Sequence, residues 1–119
     1  MAPLPRLTRR AEFLKVAAAR RKWAAPGLIL QVAADPEASS SRACAWRVGF
    51  TASRKVGNAV ARNRARRRLR AVSAEVLPEH ARAGHDYVLI ARAGTLTRDY
   101  RALLADLEEG LRRLGLYQA

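Results

Sequence analysis

The stretch KVGNAVARNRARRRLRA, residues 55–71, constrains this chain more than any other. It carries seven basic side chains and no acidic one, and six arginines fall within positions 62–70. An α-helix is the element that can sort such a segment into an apolar and a charged side. At 100° per residue Ala61, Ala65, Leu69, Val72 and Val76 fall within an arc of about 80°. That arc is the face a core would bury. The opposite arc holds Asn63, Arg66, Arg67 and Arg70, with Arg62 at its edge. Arg64 and Arg68 lie on the other flank, Arg68 close to the core side. Like charges at i, i+4 destabilise a helix by a few tenths of a kcal/mol per pair. The pairs 62/66, 64/68 and 66/70 all have this spacing. A helix kept for structure alone gains nothing from them; a phosphate-rich partner can neutralise them.

The start of this helix is also legible. Asn58 is a good N-cap, because its side chain can accept from a free amide of the first turn. Gly57 allows a bend that other residues resist. Arg54 and Lys55 precede it, so a strand end and a helix start share one basic patch, and first-turn amides can add a phosphate contact. The helix is expected over about Asn58–Leu77, stopped by Pro78.

The rest of the chain reads as an amphipathic scaffold. Thr8 can cap a helix from about Arg9 to Trp23, in which Phe13, Val16 and Ala17 share a face and APG (25–27) ends the element. LILQVA (28–33) predicts a strand. The polar segment 35–43 has the length of a hairpin connection to a second strand over 45–53, with Trp46, Val48 and Phe50 on one core-facing side. Residues 79–86 are expected as a loop, YVLIA (87–91) as a buried strand, and 98–114 as a helix with the stripe Leu103, Leu104, Leu107, Leu111, Leu114. Trp23, beside RRK, is ambiguous.

This order predicts a small α/β sandwich with a mixed sheet and one domain over residues 1–119, residues 1–6 forming a loose lead. Half the residues are apolar, enough for a core. The net charge of +13 opposes compaction and points to a polyanion, nucleic acid before an anionic membrane. No apolar run approaches the roughly 20 residues that span a bilayer, and no secretory signal is seen, so the cytoplasm is the expected compartment. Cys44 is the only cysteine, which excludes an internal disulfide and fits a buried strand residue. Twenty of the 23 basic residues are arginine, the side chain that binds phosphate bidentately. The ten carboxylates are scattered, and His80 and His85 read as surface residues. No nucleophile elbow, P-loop or zinc spacing is present, so no protein catalytic residue is expected. Composition alone separates RNA from DNA poorly, although a helix-turn-helix pattern is missing.

RVGFTASRKVGNAVARNRARRRLR (47–70) resembles the signature of the bacterial ribonuclease P protein component: a strand, a basic pair before GNAV, then R-N-R inside a basic helix. The flanks RLTRRAEFLKV and DYVLIAR agree, so the resemblance spans nearly all of the 119 residues. It implies an α/β two-layer sandwich with about four strands and three main helices, order α-β-β-(β)-α-β-α, like a domain of a small-subunit ribosomal protein, with a left-handed βαβ crossover. It further implies binding to the ribonuclease P catalytic RNA, which removes the 5′ leader from precursor tRNA using Mg²⁺; the protein alone would hold no cofactor. Neither a membrane nor DNA is an expected partner. By motif, Arg54, Lys55, Asn58, Arg62, Asn63, Arg64, Arg66, Arg67 and Arg70 would face the catalytic RNA. Phe13, Ala17 and Gln31 would line a cleft for the leader. Ala17 and Gln31 depart from the family, which often has aromatics there, so leader binding is expected to lean on arginine and hydrogen bonding. The competing reading is a ribosome-associated RNA-binding protein with no role in tRNA processing.

Overall fold

The computed structural model describes residues 4–35 and 46–119; Cys44 and the expected hairpin connection lie outside them. The elements are α1 (Arg10–Ala18), β1 (Arg21–Ala24), β2 (Leu28–Ala34), β3 (Trp46–Thr51), α2 (Ala59–His80), β4 (His85–Ala91), a 3₁₀ turn (Ala93–Thr95) and α3 (Tyr100–Arg113). The four strands form one mixed sheet in the order β1-β2-β4-β3. β4 pairs antiparallel with β2 and parallel with β3.

Strand alternation sorts the sheet into two faces. Leu28, Leu30, Val32, Val48, Phe50, Tyr87 and Leu89 point to one side, where they form the main core with Ala65, Leu69, Val72, Val76 and Leu77 of α2 and Leu103, Leu107 and Leu111 of α3. The other face packs a smaller cluster, Leu7, Val16, Ala33 and Val88, with Phe13 and Ile90 at its margin. Thus α2 and α3 cover one face, and the single short helix α1 covers part of the other.

Several boundaries differ from the sequence reading. The first helix stops at Ala18, and Arg20 turns the chain with φ +56°. Residues 21–23, expected as helix, instead lie in β1, and the Ala25 amide donates to the Leu28 carbonyl (2.8 Å) in the hairpin turn around Pro26-Gly27. APG is therefore a strand turn rather than a helix stop. An extended backbone puts Trp23 on the α3 side of the sheet, against Gly110. The α1 cap is not Thr8: Arg9 occupies the position, and Glu12 accepts from the Thr8 and Arg9 amides at 2.9 Å each.

The expected hairpin between the second and third strands is also overturned, because β4 inserts between them. α2 runs on through Pro78 to His80. A proline near a helix end sacrifices one amide bond, and the Ala81 amide still reaches the Leu77 carbonyl (3.0 Å). On the expected apolar arc Ala61 is only half-buried, while Ala65, Leu69, Val72 and Val76 are buried. The lead is not loose from Leu4 onward. The Val48 amide donates to the Pro5 carbonyl and the Leu7 amide to the Val48 carbonyl (2.9 Å each), so this segment lies along the β3 edge.

α2 begins as the sequence requires. Asn58 accepts from the Ala61 amide at 2.9 Å. Gly57 has φ +147°, and a Cβ there would stand 2.8 Å from that of Ala61. α3 starts at Asp99, whose carboxylate accepts from the Arg101 amide at 3.1 Å.

Candidate nucleic-acid interface

The N-terminal half of α2 carries the predicted cationic face. Asn63, Arg64, Arg67 and Arg70 are exposed, and Arg62 and Arg66 half-buried. The first acidic residue of the helix is Glu75. Among the described residues none of these five arginines has a carboxylate partner; Arg66 donates to the Asn63 side chain at 2.6 Å. Arg54 and Lys55 are exposed on the turn that delivers the chain from β3 to α2. Asn58 is exposed too, with its side-chain oxygen committed to the cap.

Arg68 is the exception in the run. Its guanidinium donates to the carbonyls of Thr95 and Arg98, both at 2.7 Å. It therefore staples α2 to the segment between β4 and α3 and is withdrawn from the outer face. The same segment is tied down by Thr95, whose hydroxyl donates to the Gly27 carbonyl, and by Arg98, paired with Asp106 at 2.7 Å. The Tyr100 hydroxyl donates to Glu75 of α2. Burial first, and the Glu75 carboxylate second, push this phenol up to about 12.

The second part of the interface is a trough on the opposite face of the sheet. Three rows of side chains cross that face. Arg47 and Asp86 lie in the first, Gly49, Val88, Gln31 and Lys22 in the second, Thr51, Ile90, Ile29 and Ala24 in the third. α1 covers the first row and part of the second. Phe13 lies on Gly49, where any Cβ would collide with its ring. The third row is left open between α1 and the turns at 53–55 and 92–93. There Ile29, Ile90, Ser53, Lys55, Val56, Ala91, Arg92 and Ala93 line a depression of about 410 Å³.

Of the predicted cleft residues, Gln31 lies in the row beside this depression and Phe13 sits over Gly49 of the same row, while Ala17 is exposed one helical turn beyond Phe13; none of the three lines the depression itself. Phe13 is half-buried: one part seats α1 on Gly49 and the rest remains accessible. Ser53, Ile29, Ile90 and Arg92 were not foreseen in this site. Arg92 follows β4 directly, and its Nη1 donates to the Ala25 carbonyl at 2.8 Å. Only the strand register brings it beside Lys55, and a single sequence does not disclose register.

α1, the wall of the trough, is fixed by charge at its base. Arg47 reaches Asp86 (2.8 Å), Asp35 (3.5 Å) and Glu12. Backbone hydrogen bonds from Arg9 and Thr8, with the Arg47 charge in a smaller role, hold the Glu12 carboxyl below its ordinary value. The hydrogen bonds that Arg47 donates to Asp86 raise the Arg47 guanidinium above its ordinary value. Among the described residues no group of three or more His, Cys, Asp or Glu is placed to hold a metal ion. No helix there is long and apolar enough to cross a membrane.

Fold and site define a small α/β protein whose outward chemistry is uncompensated guanidinium on one side and a half-apolar, cation-rimmed trough on the other. Such surfaces fit a phosphodiester polymer. The family model described as Ribonuclease P matches residues 1–115. The ribonuclease P protein component of Paramagnetospirillum magneticum is 60% identical over 117 residues, covering 98% of this chain and 87% of that protein. That of Gluconacetobacter diazotrophicus is 48% identical over 111 residues, covering 93% and 91%. The RNase P protein structure from Staphylococcus aureus superposes with a TM-score of 0.76 at 22% identity, over 98% of this chain and all of that one. The Thermotoga maritima RNase P protein gives 0.69 at 21%, over 92% and 94%. The chain belongs to the ribonuclease P protein family.

Proposed function

We propose that this chain binds the catalytic RNA of ribonuclease P through the outer face of α2, and receives the 5′ leader of precursor tRNA in the trough between α1 and the sheet. The observation that carries the reading is the separation of charge on α2. Five arginines stand together without a carboxylate partner among the described residues, while Arg68, in the same run, is spent on two carbonyls. A folded RNA supplies the missing counter-charge and gains affinity by releasing its own counterions.

The trough suits a single strand rather than a duplex. Its open floor offers two isoleucines rimmed by Lys55 and Arg92, and the adjoining row adds Gln31 and the accessible part of Phe13; together these match unstacked bases and the backbone joining them. Its contribution to the reaction is positional. Holding the leader against the protein fixes the tRNA relative to the RNA subunit, and the net charge of +13 screens the repulsion between two RNAs. Mg²⁺ would be held by RNA phosphates, so the protein lowers the concentration needed without ligating the ion. Membership of the family supports this reading over a ribosome-associated RNA-binding protein.

The test is reconstitution with the cognate RNA subunit and a precursor tRNA. The pure protein is expected to leave the precursor intact, and addition of protein to the RNA subunit to lower the Mg²⁺ needed for leader removal. Cleavage by the protein alone, or an unchanged Mg²⁺ requirement, refutes it.

A further inference from the structure

The row of side chains next to the open floor does not stop at Gln31. Register places Gly49 beside Val88, Val88 beside Gln31, and Gln31 beside Lys22, so one line crosses all four strands on the α1 side. The alternation along β1 is unambiguous. Trp23 packs toward α3, against Gly110 and under the Arg113 guanidinium at 5.1 Å, so its neighbours Lys22 and Ala24 point the other way. Lys22 therefore stands on the trough face, one strand outward from Gln31, at a pair separation of about 5 Å. It is exposed and has no carboxylate partner among the described residues, and the chain holds no acidic residue between Glu12 and Asp35.

The trough thus has a cation at each end. Lys55 stands where β3 leads into α2, and Lys22 on the β1 edge. Between Gly49, beneath Phe13, and Lys22 lie three strand spacings, roughly 14 Å. The surface between them turns from aromatic to polar: Phe13, then Ala17 and Gln31, then Lys22. Two of these positions offer a base no ring to stack on, so a strand crossing them must be held by its phosphates.

We propose that Lys22 is a phosphate contact of the leader strand where it leaves the trough over β1, and that it provides at this end the grip that Ala17 and Gln31 do not. The inference rests on the leader occupying the trough as proposed above. An exposed edge-strand lysine also discourages sheet-to-sheet pairing; that role has no dependence on leader length, whereas a phosphate contact beyond Phe13 is engaged only by leaders long enough to reach it.

The experiment uses the holoenzyme reconstituted from full-length protein and cognate RNA, with labelled precursor tRNAs carrying leaders of increasing length. Thermal melts of each variant report folding. Lys22→Gln is expected to lower affinity for long-leader precursors about two- to fivefold, the scale of one exposed ionic contact. The loss should shrink as the leader is shortened, and Lys22→Arg should retain the wild-type profile. Phe13→Ala runs in parallel. If it lowers leader-dependent affinity while Lys22→Gln matches wild type at every length, the Lys22 contact is overturned and the trough reading stands. If neither variant changes the profile, both fall.

Discussion

The Arg47 corner and the outer face of α2 handle the same side chain in opposite ways. At the corner one guanidinium is shared by Glu12 of α1, Asp86 of β4 and Asp35, the residue that follows β2. On α2 Arg62, Arg64, Arg66, Arg67 and Arg70 have no carboxylate partner among the described residues. The corner closes its charge inside the protein, and the helix leaves its charge open. The difference separates arginines that build the fold from arginines that await a partner, and position in sequence does not make that separation. Arg67 and Arg68 are adjacent, yet one is exposed and the other holds the carbonyls of Thr95 and Arg98.

The comparison can be broken most directly at Arg47. Arg47→Ala removes the shared cation from three carboxylates and is expected to cost about 3 kcal/mol of stability in denaturant titrations. RNA affinity, measured where the variant is still folded, should keep the wild-type salt dependence. A loss below 0.5 kcal/mol, of the size usual for surface substitutions, would mean that the corner holds nothing together. Arg68→Ala is the next largest. Two charge-assisted bonds to backbone carbonyls are lost, for about 2 kcal/mol, again with an unchanged salt slope; a reduced slope would place Arg68 on the RNA. Arg66→Ala and Arg67→Ala should reverse the pattern. Stability should move by less than about 0.5 kcal/mol, while each lost phosphate contact reduces the log–log salt slope by about 0.7 to 0.9. The smallest effect concerns pH. Glu12 is held below its ordinary 4.5 in the folded state. Its contribution is complete above that value and is withdrawn as pH falls through the lower folded value. Acid titration of Glu12→Gln should therefore lack part of the stability loss that the wild type shows below about pH 4.5.

The sequence disclosed much of this contrast because helical periodicity reports burial. The arc from Ala65 to Val76 is buried as the wheel requires, and Asn58 caps as its chemistry suggests. Arg68 was suspect from its angle alone. What stayed hidden was non-local. The β1 segment reads as helix because AAARRKW has no alternation strong enough to outweigh its alanines, and Trp23 becomes half-buried only where Gly110 of α3 comes against it. The insertion of β4 between β2 and β3 leaves no local trace, and with it went the register that gathers Lys55, Arg92, Ile29 and Ile90. The roles of Phe13, Ala17 and Gln31 come from the family resemblance; the structure adds only that Gln31 and the Gly49 beneath Phe13 share one row across the sheet, next to the open floor. Lys22 was invisible to pattern, since its neighbour Gln31 lies across a hairpin whose first strand was not foreseen.

The central place of β4 has a consequence for how the chain is made. β2 needs β4 on its inner edge, yet about 50 residues separate the end of one from the start of the other. At roughly 5 to 20 residues per second a ribosome takes about 3 to 10 s to cross that gap. Throughout that interval Leu28, Leu30 and Val32 have emerged with an open strand edge, and the arginine-rich helix emerges before the sheet can close over it. The nascent chain is at its stickiest in those seconds.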